Sequence, residues 1–339
     1  MDSSLSASYP TRRNFLWMLL AAAGYTTGRA YSQTKSPWQT TKIEGRQYVE
    51  ISSLKNFYRF ASIKQKGNSV LLENRKTIVK FTIGGNECLM NNVKFILSNS
   101  VESLDGKPYV SHIDLVKLID PVLRPMFIRN AGDFRTVILD PGHGGNDPGA
   151  TNSLGTEAKY NLKVAGLAKS LLQSIGYKVV MTRSDDRFIS LQERVKLANA
   201  IRENAIFISI HFNSGRSQAR GIETFTLSPP GVAHYGSAWK PSDEAARIGN
   251  HQDSANIALA TLLHGAVLRR LGKNTFDRGI KRARFSVLSG VRHPAILFEG
   301  GFMTHPREAR LIDHIDYQKA IANSIFAAVE RYRRSFSPK

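Results

Sequence analysis

The chain contains a single cysteine, Cys88, among its 339 residues. One cysteine allows neither an intramolecular disulfide nor a metal site built from thiolates. A lone cysteine usually behaves as a small buried hydrophobic residue, and we expect Cys88 to do so. Cys88 also lies far from the amino terminus, so no cysteine that could carry a lipid follows directly after the apolar run at residues 16–23.

Acidic residues are also scarce. The 27 Asp and Glu residues are outnumbered by 47 Lys and Arg residues, which gives a formal net charge of +20. Such an excess favours anionic partners such as nucleic acid, anionic lipid headgroups or acidic wall polymers. The basic residues are spread along the chain without a dense Lys/Arg run. This argues against a dedicated nucleic-acid module, and we expect no nucleic-acid partner.

The apolar run Leu16–Ala23 is too short to span a bilayer comfortably. It follows Arg12 and Arg13 and precedes small and polar residues up to Ala30, which is the pattern of an export signal. The arginine pair resembles a twin-arginine signal. We therefore predict a signal peptide at 1–30, a polar linker at 31–41, and a location in the periplasm or cell envelope. An ordinary secretory signal and an uncleaved anchor are the alternatives.

Residues 42–127 predict a small α+β domain. Short strand-like pieces are separated by Gly/Asn turns, and two short helices are predicted at Ile51–Ala61 and Ser111–Ile119. A turn, a Tyr-Val strand and a helix occur twice, beginning at Gly45 and at Gly106. This part is similar to the accessory domain at the amino terminus of copper amine oxidases, which implies a spacer or wall-docking module.

Residues 134–335 alternate strands and helices, which predicts an α/β domain with a mostly parallel sheet flanked by helices. The predicted helices are Glu157–Ser174, Ser190–Asn204, Asp253–Leu271 and two closing helices. The predicted strands are Val137–Leu139, Lys178–Thr182, Ala205–His211, Ile222–Leu227, Phe285–Leu288 and Ala295–Glu299. Ligands in such folds bind at the carboxyl ends of the strands.

Four polar residues stand at or near such strand ends. His143 lies in a Gly/Pro loop, His211 and Glu299 each close an apolar run, and Glu157 opens a helix. Two histidines and one glutamate can fill three positions of a catalytic zinc site and leave the fourth for water. A buried carboxylate such as Glu299 has a raised pKa, which suits a general base.

These motifs resemble the zinc-dependent N-acetylmuramoyl-L-alanine amidases of bacterial cell-wall turnover. The family pattern is an Asp-Pro-Gly-His-Gly-Gly loop, a helix-opening Glu, a Ser-Ile-His-Ala-Asn strand end and a Glu-x-Gly-Phe strand end. Here the motifs read Asp140–Gly145, Glu157, Ser209–Asn213 and Glu299–Phe302. Two departures are Lys159, displaced by one position from the Glu, and Phe212 in place of Ala. The resemblance implies zinc bound by His143, Glu157 and His211, with Glu299 as the catalytic base.

Further residues are predicted to support this site. Asn213 could orient His211 or bind substrate, and Arg278, Arg282 and Arg284 could bind a substrate carboxylate, with a solvated basic face as the alternative. Of the three arginines, Arg282 and Arg284 are taken as the candidates. Asp140 could hold the second nitrogen of a histidine ligand, and Asp147 is a fallback metal ligand. A long insertion at 228–252 could line a groove or cover the metal.

The resemblance implies an exported peptidoglycan hydrolase that cleaves the amide bond between N-acetylmuramic acid and L-alanine. Its partners would be peptidoglycan and, in addition, anionic wall polymers or a regulatory activator protein. The alternatives are another exported zinc peptidase or amidase, and a non-catalytic protein that binds the cell wall.

Overall fold

The computed structural model describes residues 37–128 and 131–336. The predicted signal peptide at 1–30 and residues 31–36 of the predicted linker lie outside the described residues. None of the helices in the described ranges combines the length and the apolar character needed to cross a membrane.

The amino-terminal part consists of short strands joined by tight turns. The hairpin between β3 and β4 turns at Gly67, whose φ of 55° suits glycine. The strands are β1 (Thr41–Ile43), β2 (Arg46–Glu50), β3 (Ser62–Lys66), β4 (Ser69–Glu73), β5 (Ile78–Thr82), β6 (Glu87–Met90), β7 (Val93–Ile96), β8 (Glu102–Leu104) and β9 (Lys107–Ser111). The helical elements are α1 (Ile51–Tyr58), α2 (His112–Asp114), a π-helical turn (Leu115–Ile119), α3 (Asp120–Leu123) and a 3₁₀ turn (Pro125–Phe127).

The carboxyl-terminal part alternates strands and helices. Its strands are β10 (Thr136–Pro141), β11 (Thr151–Asn152), β12 (Gly155–Thr156), β13 (Lys178–Met181), β14 (Ala205–Asn213), β15 (Ile222–Leu227), β16 (Asp277–Ala283) and β17 (Ala295–Phe302). Its helices are α4 (Glu157–Gln173), α5 (Leu191–Ala200), α6 (Asp253–Leu271), α7 (Ser286–Gly290), α8 (Pro306–Asp313) and α9 (Ile315–Phe336). Short 3₁₀ turns lie at Pro241–Glu244, Ile248–Gln252 and Gly272–Asn274.

Strands from both parts form one 11-stranded sheet in the order β13-β10-β14-β17-β15-β16-β7-β6-β5-β4-β3. β13, β10, β14 and β17 run parallel to one another, whereas β15 is antiparallel to β17. The strands from β7 to β3 are all antiparallel. The prediction of a mostly parallel sheet is therefore wrong. The sheet is mixed, because β15 runs antiparallel to β17 and because the amino-terminal hairpins extend the sheet.

The amino-terminal strands join the main sheet through β7 and β16, where Phe95 pairs with Ile280 in a parallel register. The Asp277 carboxylate reinforces the junction by accepting a hydrogen bond of 2.9 Å from the backbone N–H of Lys94. The described residues from Trp38 onward accordingly belong to one compact unit. The strands predicted for a separate small domain exist, but β3 to β7 continue the larger sheet. The other amino-terminal strands form a separate 4-stranded sheet in the order β1-β2-β9-β8. The division at 127–134 stays a prediction.

The central carboxyl-terminal strands β10, β14, β15 and β17 are buried on both faces, as expected for strands covered by helices. One face packs Val137 and Leu139 against α4 and α9, and the other packs Ile138 and Phe207 against α5 and α7. This arrangement leaves the carboxyl ends of β10, β14 and β17 at one edge, where their loops emerge together. The prediction of a strand at Phe285–Leu288 is wrong, because helix α7 begins at Ser286. The strand of this region is β16, which ends at Ala283.

Candidate metal centre

The four predicted site residues meet at the carboxyl edge of the parallel strands. His211 of β14 and Glu299 of β17 lie directly opposite each other in the strand register. His143 lies two residues beyond the end of β10, and Glu157 is the first residue of α4. The carboxyl ends of neighbouring parallel strands face the same side of a sheet. Residues far apart along the chain are thereby brought to one place.

His143, Glu157 and His211 each offer one ligand atom, and these atoms lie within 4.8 Å of one another. Glu157 Oε1 is 3.2 Å from His143 Nε2 and 2.8 Å from His211 Nδ1. Tetrahedral coordination at about 2.1 Å separates ligand atoms by roughly 3.4 Å. Small adjustments of the side chains would therefore let the three groups share one divalent ion.

The loop that carries His143 requires glycine at two positions. A Cβ atom on Gly142 would lie 2.0 Å from Cε1 of His211, and one on Gly149 would lie 2.6 Å from Oε2 of Glu157. His143 itself has a φ of 60°, in the left-handed region that non-glycine residues rarely adopt. The strained backbone at His143 and the lack of a side chain at the two glycines allow the loop to approach the other two ligands closely.

Two buried arginines that were not predicted as site residues fix this loop. Arg183 donates to the carbonyl oxygens of Pro141 at 3.0 Å and Gly142 at 2.8 Å. Arg194 donates to the carbonyl oxygen of His143 at 2.8 Å. Guanidinium groups donate several hydrogen bonds in a fixed geometry. These arginines therefore hold the backbone of the ligand loop rather than a substrate.

The second nitrogen of His143 is held by Asp147 and not by Asp140. His143 Nδ1 lies 2.8 Å from Asp147 Oδ2. Asp140 instead accepts hydrogen bonds from Thr182 at 2.6 Å and Ser209 at 2.7 Å. The hypothesis that Asp140 orients a ligand is therefore wrong, because the side chain of Asp140 points back between the strands. Asp147 leaves Nε2 of His143 directed at the cluster.

The charges of the cluster favour an ionised carboxylate between two imidazoles. Burial opposes ionisation of Glu157, but hydrogen bonds from His143 and His211 outweigh it and lower its pKa. Burial lowers the pKa of His143, but the carboxylates of Glu157 and Asp147 outweigh this effect and raise it overall. An ionised glutamate is the form that binds a cation.

Glu299 lies beside the cluster without contributing to it. Its Oε2 atom is buried and has no hydrogen-bond partner among the described residues. Burial, followed by the negative charges of Glu157 and Glu223, raises the pKa of Glu299, against the opposing effect of Lys281. A carboxyl group that holds a proton more tightly than usual, with one free oxygen, suits proton transfer at this position.

The structure separates the three predicted substrate-binding residues. Asn213, at the end of β14, donates to Glu223. Arg282 is buried and donates to the carbonyl oxygens of Lys117 at 2.6 Å and Leu227 at 3.3 Å. Arg284 donates to carbonyl oxygens of the insertion, at 2.6 to 3.1 Å. Asn213 is thus at the edge that carries the cluster, whereas Arg282 and Arg284 bind backbone. Substrate binding by these residues stays a prediction.

The insertion at 228–252 packs beside the strands of the site. The Nζ atom of Lys281 lies 4.3 Å from the centroid of the Tyr235 ring, and the Tyr235 backbone N–H donates 2.9 Å to the carbonyl oxygen of Arg282. Trp239 is 49% exposed. The insertion therefore forms a fixed side wall over β16.

The sequence model of the N-acetylmuramoyl-L-alanine amidase family matches residues 137–331, which is more than half of the chain. The amidase AmiC of Neisseria meningitidis is 34% identical over 217 residues, covering 58% of this chain and 52% of that protein. LytC of Bacillus subtilis is 31% identical over 329 residues, covering 94% of this chain and 60% of that protein. The chain thus spans about half of the first relative and 60% of the second.

Solved structures of amidases are also similar. The catalytic domain of CwlV from Bacillus (Paenibacillus) polymyxa var. colistinus is 30% identical, with a TM-score of 0.49, covering 59% of this chain and 98% of that domain. An amidase from Clostridium difficile 630 is 33% identical, with a TM-score of 0.48, covering 60% and 98%. The matched region contains His143, Glu157, His211 and Glu299. From the family match over residues 137–331, the chain belongs to the N-acetylmuramoyl-L-alanine amidases.

Proposed function

We propose that this chain is an exported, zinc-dependent amidase that hydrolyses the amide bond between N-acetylmuramic acid and L-alanine in peptidoglycan. The observation that carries the proposal is the convergence of His143, Glu157 and His211, whose ligand atoms lie within 4.8 Å of one another. Glu299 stands next to His211 in the strand register. The bond that is cleaved and the peptidoglycan substrate are proposed from membership of the amidase family.

The donor set fits zinc. Two imidazole nitrogens and one carboxylate oxygen are ligands that catalytic zinc takes, with one position left for water or substrate. Asp147 bonds the outer nitrogen of His143, which selects the tautomer that presents Nε2. When bound, zinc would polarise the amide carbonyl and lower the pKa of a bound water to roughly 7.

The role of Glu299 is proton transfer. Its carboxylate takes a proton from the attacking water as the oxygen adds to the amide carbon. As the C–N bond breaks, Glu299 passes the proton to the leaving nitrogen of L-alanine. The raised pKa of Glu299 supports the second half of this cycle, because the protonated form persists closer to neutral pH.

The remaining sequence predictions complete the proposal. Residues 1–30 would direct export to the periplasm or cell envelope, where peptidoglycan is found. Residues 42–127 would be an accessory region, and the net charge of +20 would attract anionic wall polymers. A regulatory activator protein is a further proposed partner.

Digestion of purified cell-wall sacculi tests the proposal, with the wild-type protein and Glu299→Gln compared side by side. The wild type should release peptides that begin with L-alanine and leave peptide-free glycan, as read by mass spectrometry. Glu299→Gln should keep its bound zinc, measured by metal analysis, while its rate falls by about 10²- to 10⁴-fold.

Other products would decide against the amidase. Cleavage within the peptide would identify a different zinc peptidase. Binding of the wild-type protein to sacculi without any cleavage would identify a wall-binding protein. Loss of zinc from Glu299→Gln would contradict its assignment as a proton-transfer residue outside the metal ligands.

A further inference from the structure

A second buried carboxylate lies on the far side of Glu299 from the metal cluster. In the strand register, Glu299 of β17 pairs with His211 of β14 on one side and with Glu223 of β15 on the other. Residues directly opposite each other in neighbouring strands point to the same face of the sheet. Glu223 is 4% exposed. A row of polar groups therefore extends from the cluster across three strands.

Three donors surround Glu223. Its carboxylate accepts hydrogen bonds from Asn213 and Lys281, and from Nε of Arg278 at 2.9 Å. One negative charge thus faces two positive charges, Arg278 and Lys281. The row ends in an excess of positive charge.

Arg278 is the partly exposed member of this group. Its side chain is 30% exposed, and its guanidinium carbon lies 4.8 Å from the centroid of the Phe302 ring. The bond to Glu223 and the aromatic ring together fix the plane of the guanidinium group. Within the described part of the chain, its two Nη groups have no hydrogen-bond partner. A fixed guanidinium with free Nη groups is prepared for a planar anion.

The neighbouring arginines are less available to a substrate. Arg282 is 4% exposed and donates from both Nη groups to backbone carbonyl oxygens. Arg284 donates from Nη2 to three backbone carbonyl oxygens, and its unbonded Nη1 is buried. Arg278 differs from both, because neither of its Nη groups is bound within the described residues and its side chain is 30% exposed.

We propose that Arg278 is a specificity-determining residue that binds a carboxylate of the stem peptide during amide cleavage. This inference rests on the proposed amidase function. Cross-strand neighbours are about 5 Å apart, so two such steps place Arg278 roughly 10 Å from Glu299. An extended chain spans about 3.5 Å per residue. The carboxylate recognised by Arg278 therefore lies two to three residues from the scissile amide. Stem peptides carry free carboxylates, whereas N-acetylated sugars are uncharged.

The test compares two muramoyl peptides that differ in one group, a free carboxylate or its amide near the L-alanine. Arg278→Ala should lower kcat/KM for the carboxylate substrate by about 10- to 100-fold, mainly through KM. The amidated substrate should change by less than about threefold, because it lacks the charge that Arg278 recognises. The kcat/KM of Arg278→Lys for the carboxylate substrate should lie between those of the wild type and Arg278→Ala. Lysine keeps the positive charge but cannot form the two parallel hydrogen bonds of a guanidinium group.

The matched control is Arg75→Ala, which removes an exposed arginine in the turn between β4 and β5. Its kcat/KM for both substrates should equal that of the wild type. Equal losses on the two substrates in Arg278→Ala would mean a structural role and overturn the inference, as would no loss on either. A similar loss in Arg75→Ala would assign the effect to net charge and overturn it too. If the wild type cleaved neither substrate, the amidase proposal itself would fail.

Discussion

The two halves of the 11-stranded sheet differ in how their strands are covered and connected. β10 is buried at every residue, and β14 is buried along its first six residues. β5 instead alternates exposed and buried residues, as an antiparallel strand with one solvated face does. Hairpins join β3 to β7, whereas longer segments containing helices join most strands of the other half.

This difference explains where the chemistry is located. Parallel strands separated by helices deliver their carboxyl ends to one edge, so loops from distant parts of the chain meet there. Hairpins place successive strand ends at opposite edges and bring together only neighbours in sequence. Among the described residues, the group of His, Cys, Asp and Glu side chains able to hold a metal lies at the parallel edge.

Removal of a ligand at the parallel edge should have the largest effect. Glu157→Ala takes away the carboxylate that contacts both histidines, and we expect loss of bound metal and a fall in activity of at least about 10³-fold. Metal analysis and the rate on sacculi measure it. Glu73→Ala, which breaks an exposed pair with Lys64 in the antiparallel half, should leave both unchanged. Equal effects of the two variants would remove the distinction.

The junction between the halves can be broken at Phe95. This ring is fully buried on β7 and opposite Ile280 of β16. Phe95→Ala should lower the free energy of unfolding by about 3–5 kcal/mol. Ile78→Ala, at a residue 45% exposed on β5, should change it by less than about 0.5 kcal/mol. Urea unfolding followed by circular dichroism and by activity should give one coincident transition, and two separate transitions would show that the halves unfold independently.

The outer support of the metal site can be separated from the loop that carries it. Asp147→Asn weakens the hold on the outer nitrogen of His143, and we expect metal affinity to fall by about 10- to 100-fold. Asp186→Asn is the matched change, because Asp186 accepts a 3.0 Å bond from Gly145 in the same loop but does not contact a ligand. Competition with a chelator measures the metal affinity of both variants. An equal loss of affinity in Asp186→Asn would mean that the loop as a whole, and not the contact with His143, determines the affinity.

Asp277 gives the smallest expected effect and a pH dependence. Burial raises the pKa of Asp277, but hydrogen bonds from His264, Lys94 and Gly279 outweigh it and lower the pKa overall. Ionised Asp277 therefore stabilises the fold above its unfolded pKa of about 4, and this stabilisation is lost as the pH falls through the lower folded value. Asp277→Asn should cost about 1–3 kcal/mol near pH 7 and less below pH 4. A constant difference across this range would contradict the assignment.

More of the candidate site than of the sheet topology could be predicted from the sequence. His143, His211 and Glu299 stand at strand ends that hydrophobic runs mark clearly, and helix Glu157–Gln173 begins where its Glu indicates. The sequence could not show that Asp147, rather than Asp140, contacts His143. Asp140 lies in β10 and Asp147 in the loop that follows, and the direction of each side chain depends on the folded backbone. Glu223 is marked in the sequence by one signal, a carboxylate inside the apolar segment Ile222–Leu227, which is buried in the structure.

The mixed sheet was not visible in the sequence for a physical reason. Strand periodicity reports which face is buried and says nothing about which strand lies alongside. β16 was not predicted as a strand, because the charged residues Lys281 and Arg282 are typical of a surface segment. Their charges are buried against Glu223 and backbone carbonyl oxygens, and such partners become apparent only after folding.

The extension of the sheet decides which strand forms its outer boundary. Without β7, the backbone of β16 would present a row of unpaired N–H and C=O groups to other molecules, and such strands seed aggregation. With the extension, the terminal strand is β3, Ser62–Lys66, a short segment in which Lys64 and Lys66 flank one glutamine. Lysine on a terminal strand repels a second copy. The amino-terminal strands thus cover the backbone of β16 and leave a short, lysine-bearing strand at this boundary of the sheet.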